Sequence, residues 1–133
     1  MIVLRTYVRF IAPFVALYGL YIATHGHLTP GGGFPAGIIM ASAFIYIYLA
    51  FGKGLKVFSE EEIKILEGVA AIFLAGVGLL GAFIGVYFFQ NVLPKGRLGE
   101  VISAGSLLPL NIAVSLKVFA GALLIVYCFL SKR

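Results

Sequence analysis

GVAAIFLAGVGLLGAFIGVYFFQNVLP, residues 68–94, carries no charged side chain. A helix of about 20 apolar residues crosses the roughly 30 Å hydrocarbon core of a bilayer, so this run suffices for one span. The stretch before it, 53–67, holds Lys53, Lys56, Glu60, Glu61, Glu62, Lys64 and Glu67, and the polar turn Lys95-Gly96-Arg97 follows it. Charge therefore brackets the run on both sides. Ser59 followed by Glu62 has the spacing of a capping box, in which side chain and backbone satisfy each other's orphan groups, and it opens the helix that enters the membrane at Gly68.

The same division by charge extends along the chain. An apolar run over about 6–24 begins around Arg9 and ends at Thr24-His25-Gly26-His27, with Pro13 one turn inside it. No charge occurs between Leu28 and Gly52. Its first part, Thr29-Pro30-Gly31-Gly32-Gly33, stops a helix, and a second span is predicted over 35–51 with Pro35 at its first turn. The third span is predicted over 68–93. The fourth is predicted over 111–130, capped by Asn111. Residues 98–110 are too rich in glycine and serine to assign, and are read as a re-entrant segment or a surface loop.

Composition agrees. Hydrophobic residues make up 62% of the chain and charged residues 11%, against about half and a quarter in soluble domains. A soluble fold of 133 residues buries too little of its surface to hide that much apolar area. The fold class is all-α, a single integral membrane domain of four transmembrane helices over 1–133. The net charge of +5 sits in short clusters without interleaved aromatics, which argues against nucleic acid. Counting Lys and Arg, the two termini and the 53–67 loop are expected in the cytoplasm and the glycine loop outside. Arg5 and Arg9 before an apolar run mimic a signal peptide, but no small-residue cleavage site follows Ala23. The single cysteine, Cys128, excludes an internal disulfide and is expected to be an inert buried thiol.

Lys117 is the most informative residue. It is expected about two turns inside the fourth helix, where a lysine costs a few kcal/mol on insertion scales. Its helical neighbours Ala113, Ala120 and Gly121 are small, which invites a second helix and a pairing or ion-path role. The competing reading is a lysine that snorkels to the interface. With spans that begin at Gly68, none contains Asp or Glu, so a counter-ion for Lys117 would belong to another subunit. One lysine without an acid is also too little for a self-sufficient antiporter.

Ala71, Ala75, Gly78, Ala82 and Gly85 form a small-residue face on the third helix, and Gly81 with Gly85 forms a GxxxG. Such a seam serves either a partner helix or packing within the chain. Aromatic residues, including Tyr46, Tyr48, Phe88 and Phe89, are expected at the lipid or the interface. His25 and His27 can be part of a structural turn, a proton relay or a metal site. Two histidines without a third ligand are weak metal evidence, and no metal or other cofactor is expected. Glu100, with Arg97 and Lys95, reads as an interfacial salt-bridge cluster.

The string His25-Gly26-His27-Leu28-Thr29-Pro30-Gly31-Gly32-Gly33-Phe34 resembles the signature of the B subunit of the Mrp (Mnh) multisubunit sodium/proton antiporters, whose histidine falls on His27. Gly99-Glu100-Val101-Ile102-Ser103-Ala104-Gly105-Ser106 looks like the segment before that family's last helix. The chain departs from the pattern at Pro35 and Ala36. It also has Leu110-Asn111-Ile112-Ala113-Val114 where the bacterial subunits carry an acid.

The resemblance implies an accessory, non-catalytic subunit among other membrane subunits. The departures favour the related archaeal complexes, in which an Mrp-like module joins a hydrogenase or sulfur reductase arm and redox chemistry is coupled to ion pumping. A purely structural spacer and a self-contained homo-oligomeric transporter are the alternatives.

Overall fold

A computed structural model describes residues 2–28, 30–52, 58–85, 87–90, 96–97 and 105–131. They form four helices and no strand: α1 Ile2–His25, α2 Gly33–Phe51, α3 Glu60–Ile84 and α4 Leu107–Ser131. All four are long and apolar enough to cross a membrane. The helices stand in an open row. α1 packs along α2, α2 along α4 and α4 along α3, while α1 meets α4 only lightly.

Small side chains hold the row together. α2, in its interior, buries Gly33, Ala36, Gly37, Ala41, Ala43 and Ala50. A Cβ on Gly33 would stand 2.6 Å from the Asn111 carbonyl oxygen, and one on Gly37 would stand 2.5 Å from that of Ser115. On the other side, a Cβ on Gly19 of α1 would meet Met40 and the Ala36 carbonyl. Lipid tails are as apolar as leucine, so close backbone approach of this kind is what drives helices together in a bilayer. The buried Ser115 hydroxyl donates to the Ile112 carbonyl at 2.8 Å, which leaves no hydroxyl unsatisfied at the seam.

Several helix ends differ from the sequence reading. α1 begins at Ile2 rather than near residue 6, because Val8 is buried with Ala12, Ala43 and Ala50 and so ties the first two turns to α2. Pro13 is consequently inside the helix, where its missing N–H leaves the Arg9 carbonyl without its usual intrahelical donor. α2 starts two residues earlier, at Gly33, with Pro35 still in the first turn, where no intrahelical N–H is needed. The capping box at α3 forms as its spacing predicts: Glu62 N–H donates to Ser59 Oγ, and Ser59 N–H to the Glu62 carboxylate. α4 begins a turn early, Leu110 N–H donating to the Ser106 carbonyl. Asn111 is therefore in the second turn and is not the cap. Residues 107–110 of the unassigned stretch are helix, and 98–104 lie outside the described residues, as do Thr29, Glu100 and Lys95.

The largest difference is at the end of α3. It stops at Ile84 instead of near 93, and the chain turns back on itself. Phe89, at φ 60°, donates its N–H to the Gly78 carbonyl. Gln90 N–H bonds the Tyr87 carbonyl, and Tyr87 N–H bonds the Gln90 side chain. The returning segment fills the hollow left by glycine. A Cβ on Gly78 would meet the Phe89 ring at 2.8 Å, one on Gly81 would meet Gln90 N at 2.7 Å, and one on Gly85 would collide with the Gln90 amide. Cys128 also departs from expectation. It is exposed on α4, turned away from the α2 seam rather than buried.

Candidate functional site

Lys117 lies near the middle of α4, about 15 Å along the axis from the helix start. The α2-facing side of α4 is marked by Asn111, Val114, Ser115, Val118 and Phe119, which crowd Gly33 and Gly37. Lys117 is two residues from both Ser115 and Phe119, about 200° around the helix, so it points away from α2. Its side chain is exposed. Ala113 and Ala120, one turn either side, are buried at 2% and 0% exposure, whereas a Cβ on Gly121 would meet nothing within 4 Å. The amine thus stands on the outer surface of the row at mid-helix.

Among the described residues the ion pair is Lys64–Glu60, on the first turns of α3. Lys117 takes no part in it. α3 itself begins with Glu60, Glu61 and Glu62 and carries Glu67 at the start of its third turn. The uncharged part of α3, 68–84, is about 25 Å long, somewhat less than a hydrocarbon core of roughly 30 Å. The early stop at Ile84 therefore draws Glu67, which is half-buried, to the membrane boundary.

The two histidines separate clearly. His25 stacks on Tyr21, with centroids 4.5 Å apart, and its Nδ1 lies 3.1 Å from the Thr24 hydroxyl. Tyr18 extends the stack beyond Tyr21. His27 is different: both ring nitrogens are buried and neither has a hydrogen-bond partner among the described residues. An unsatisfied buried polar group costs about 1–3 kcal/mol, so such a group in a native structure calls for an explanation.

The turn that holds His27 closes on the glycine loop. A Cβ on Gly26 would be 2.9 Å from Gly32, and Gly32 has φ 136° and ψ −179°, a region essentially closed to other residues. Pro30 and Gly31 are exposed on the same loop, and Gly33 begins α2 against Asn111. Asn111 is six residues from Lys117, about 9 Å along α4. The structure places the loop and the lysine on one helix pair without bringing His27 and Lys117 into contact. No three His, Cys, Asp or Glu side chains converge among the described residues.

The small-residue face of α3 is divided. Gly78 and Gly85 are covered by the chain's own return, Ala71 is half-buried, and Ala75 and Ala82 are exposed. The seam that organises the row is instead Gly33, Gly37 and Ala41 on α2. Their i, i+4, i+8 spacing is present in the sequence and is the signal for this seam.

These features define a multi-pass, all-helical membrane protein whose mid-helix lysine faces outward. The chain belongs to the family of domains related to the MnhB subunit of Na+/H+ antiporters, whose model matches residues 3–124. It is 38% identical over 112 residues to the uncharacterized protein MJ1307 of Methanocaldococcus jannaschii, covering 77% of this chain and 42% of that one. It is 31% identical over 104 residues to the antiporter subunit mnhB2 of Staphylococcus aureus, covering 75% and 74%. Its fold is similar to a chain of the membrane-bound sulfane sulfur reductase, an archaeal respiratory membrane complex. That match has a TM-score of 0.80 and 35% identity, and covers 95% of this chain and 56% of the other.

Proposed function

We propose that this chain is an accessory, non-catalytic subunit of an Mrp-type cation/proton antiporter module. That module sits within a respiratory complex of sulfur reductase or hydrogenase type, which couples electron transfer to ion movement. Other membrane subunits of the complex are its partners, and redox cofactors belong to them. The family and the likeness to the archaeal sulfur reductase chain support this reading. Both termini face the cytoplasm, following the excess of Lys and Arg there.

The observation that carries a role beyond scaffolding is the outward-facing Lys117. From roughly 15 Å inside the helix a lysine stem does not reach the headgroups. An ammonium facing lipid at that depth costs about 2.5–3.5 kcal/mol on insertion scales. A neighbouring subunit covers it, therefore, and Lys117 takes part in an ion path at that interface. His27, whose buried ring nitrogens have no partner among the described residues, is the second member of the path, and His25 is held in a structural stack.

The test is Lys117→Met in the intact complex. Impaired sodium or proton movement with normal assembly supports the role. Unchanged transport with normal assembly removes Lys117 from the path and leaves a structural spacer. Co-purification of the tagged chain identifies the assembly: hydrogenase-like or flavin- and iron–sulfur-bearing subunits support the redox-linked complex. Antiporter subunits alone point to a free-standing antiporter.

A further inference from the structure

α1 and α2 share one end of the row, and that end carries two arginines and no acid. Arg5 and Arg9 are one helical turn apart on α1, close enough for like charges to repel. Arg5 Nε donates to the Ala50 carbonyl at 3.1 Å. This is the last turn of α2, where carbonyls lack intrahelical donors and the helix carries partial negative charge. Both guanidiniums also approach one aromatic ring. Arg5 lies 6.0 Å and Arg9 5.8 Å from the centroid of Phe51. The two charges, both on exposed residues of α1, are thus held by the fold near one point.

Nothing among the described residues neutralises them. No residue from 2 to 52 is acidic, and neither arginine is in an ion pair among the described residues. The acids Glu60, Glu61, Glu62 and Glu67 are on α3, which joins the row through α4 rather than beside α1. Depth identifies what can supply the missing charge. α2 has 19 residues and is about 28 Å long, close to the hydrocarbon thickness, so Phe51 at its end lies where the headgroups begin. Arg5 spends its Nε on Ala50, which leaves the terminal nitrogens of both forks for an outside acceptor. A planar guanidinium fork matches a phosphate in geometry and charge.

We propose that Arg5 and Arg9, held against Phe51 at the end of α2, form a binding site for the phosphate of an anionic membrane lipid. The lipid neutralises the pair, and its chains run down the exposed side of α1.

The experiment is native mass spectrometry of the full-length chain, delipidated in detergent and titrated separately with phosphatidylglycerol, phosphatidylcholine and inorganic phosphate. Wild type retains phosphatidylglycerol in preference to phosphatidylcholine. Arg9→Gln, which leaves the Arg5–Ala50 tie in place, weakens retention about fivefold, and Arg5→Gln combined with Arg9→Gln weakens it further. Lys64→Gln, on α3 and paired with Glu60 away from α1, leaves retention unchanged. Wild-type retention by Arg9→Gln overturns the proposal. Displacement of the lipid by inorganic phosphate overturns the lipid assignment and makes this a free-phosphate site. The unsubstituted chain gives a second test, because retention at a charged headgroup falls as salt rises. Salt-independent retention marks an apolar contact alone and overturns the proposal.

Discussion

Gly37 of α2 lies directly against the backbone of Ser115 in α4: a Cβ on Gly37 would stand 2.5 Å from the Ser115 carbonyl oxygen and 2.8 Å from Val118. Neither neighbour is the free end of a flexible side chain, so Gly37→Ala must push the two helices apart. The expected cost is about 1–3 kcal/mol, the range for overpacking, read as a lower Tm of the purified chain in detergent. Gly121→Ala, where an added Cβ meets nothing, is the control and is expected to be neutral or to stabilise α4 by up to about 1 kcal/mol. Equal Tm values for the two variants would show that the α2–α4 seam is not close-packed.

The four spans were legible because charge, Lys117 apart, is gathered toward their ends, and the Ser59–Glu62 cap because its spacing has a local mechanism. The end of α3 was not legible. Hydropathy continues unbroken to Pro94, while the reversal depends on the hydrogen bonds between Tyr87 and Gln90 and on Phe89 at φ 60°. Apolar residues in a helix and apolar residues folded back on it look alike in composition. The order of the row was hidden for a related reason, since several helices carry small residues and pattern alone does not say which faces meet. His25 and His27 were equivalent in sequence. They differ only because Tyr21 and Thr24 engage the former, while the turn buries the latter.

The glycine loop gives a sharper prediction at one position than along its length. Gly32 alone of Gly31, Gly32 and Gly33 has a positive φ, 136°, so Gly32→Ala forces a strained backbone although space is open around it. A destabilisation of about 1–3 kcal/mol is expected. Gly31→Ala, with no positive φ, is expected to cost less than half as much. Thermal unfolding of the two variants side by side checks this.

Lys117→Met is expected to leave the Tm of the isolated chain nearly unchanged, because the lysine is exposed and has no ion pair among the described residues to lose. Membrane insertion should improve by about 2.5–3.5 kcal/mol, the cost of a lysine at a helix centre. A glycosylation-mapping insertion assay with α4 as the test segment measures it. A large fall in Tm for the isolated chain would instead mean that Lys117 has a partner within its own fold.

His27→Phe separates stability from function at the other candidate. Both imidazole nitrogens are buried without partners among the described residues, so an apolar ring of similar outline removes an unsatisfied polar group and loses no hydrogen bond. The isolated chain should be as stable as wild type or more so, by up to about 1–3 kcal/mol. His25→Phe should not gain in this way, since it gives up the contact to Thr24. In the intact complex the ordering of effects reverses if His27 carries protons: His27→Phe lowers ion transport while His25→Phe largely preserves it. A His27→Phe chain that is markedly less stable than wild type would mean that a water or partner group already satisfies the ring, and that its burial is structural.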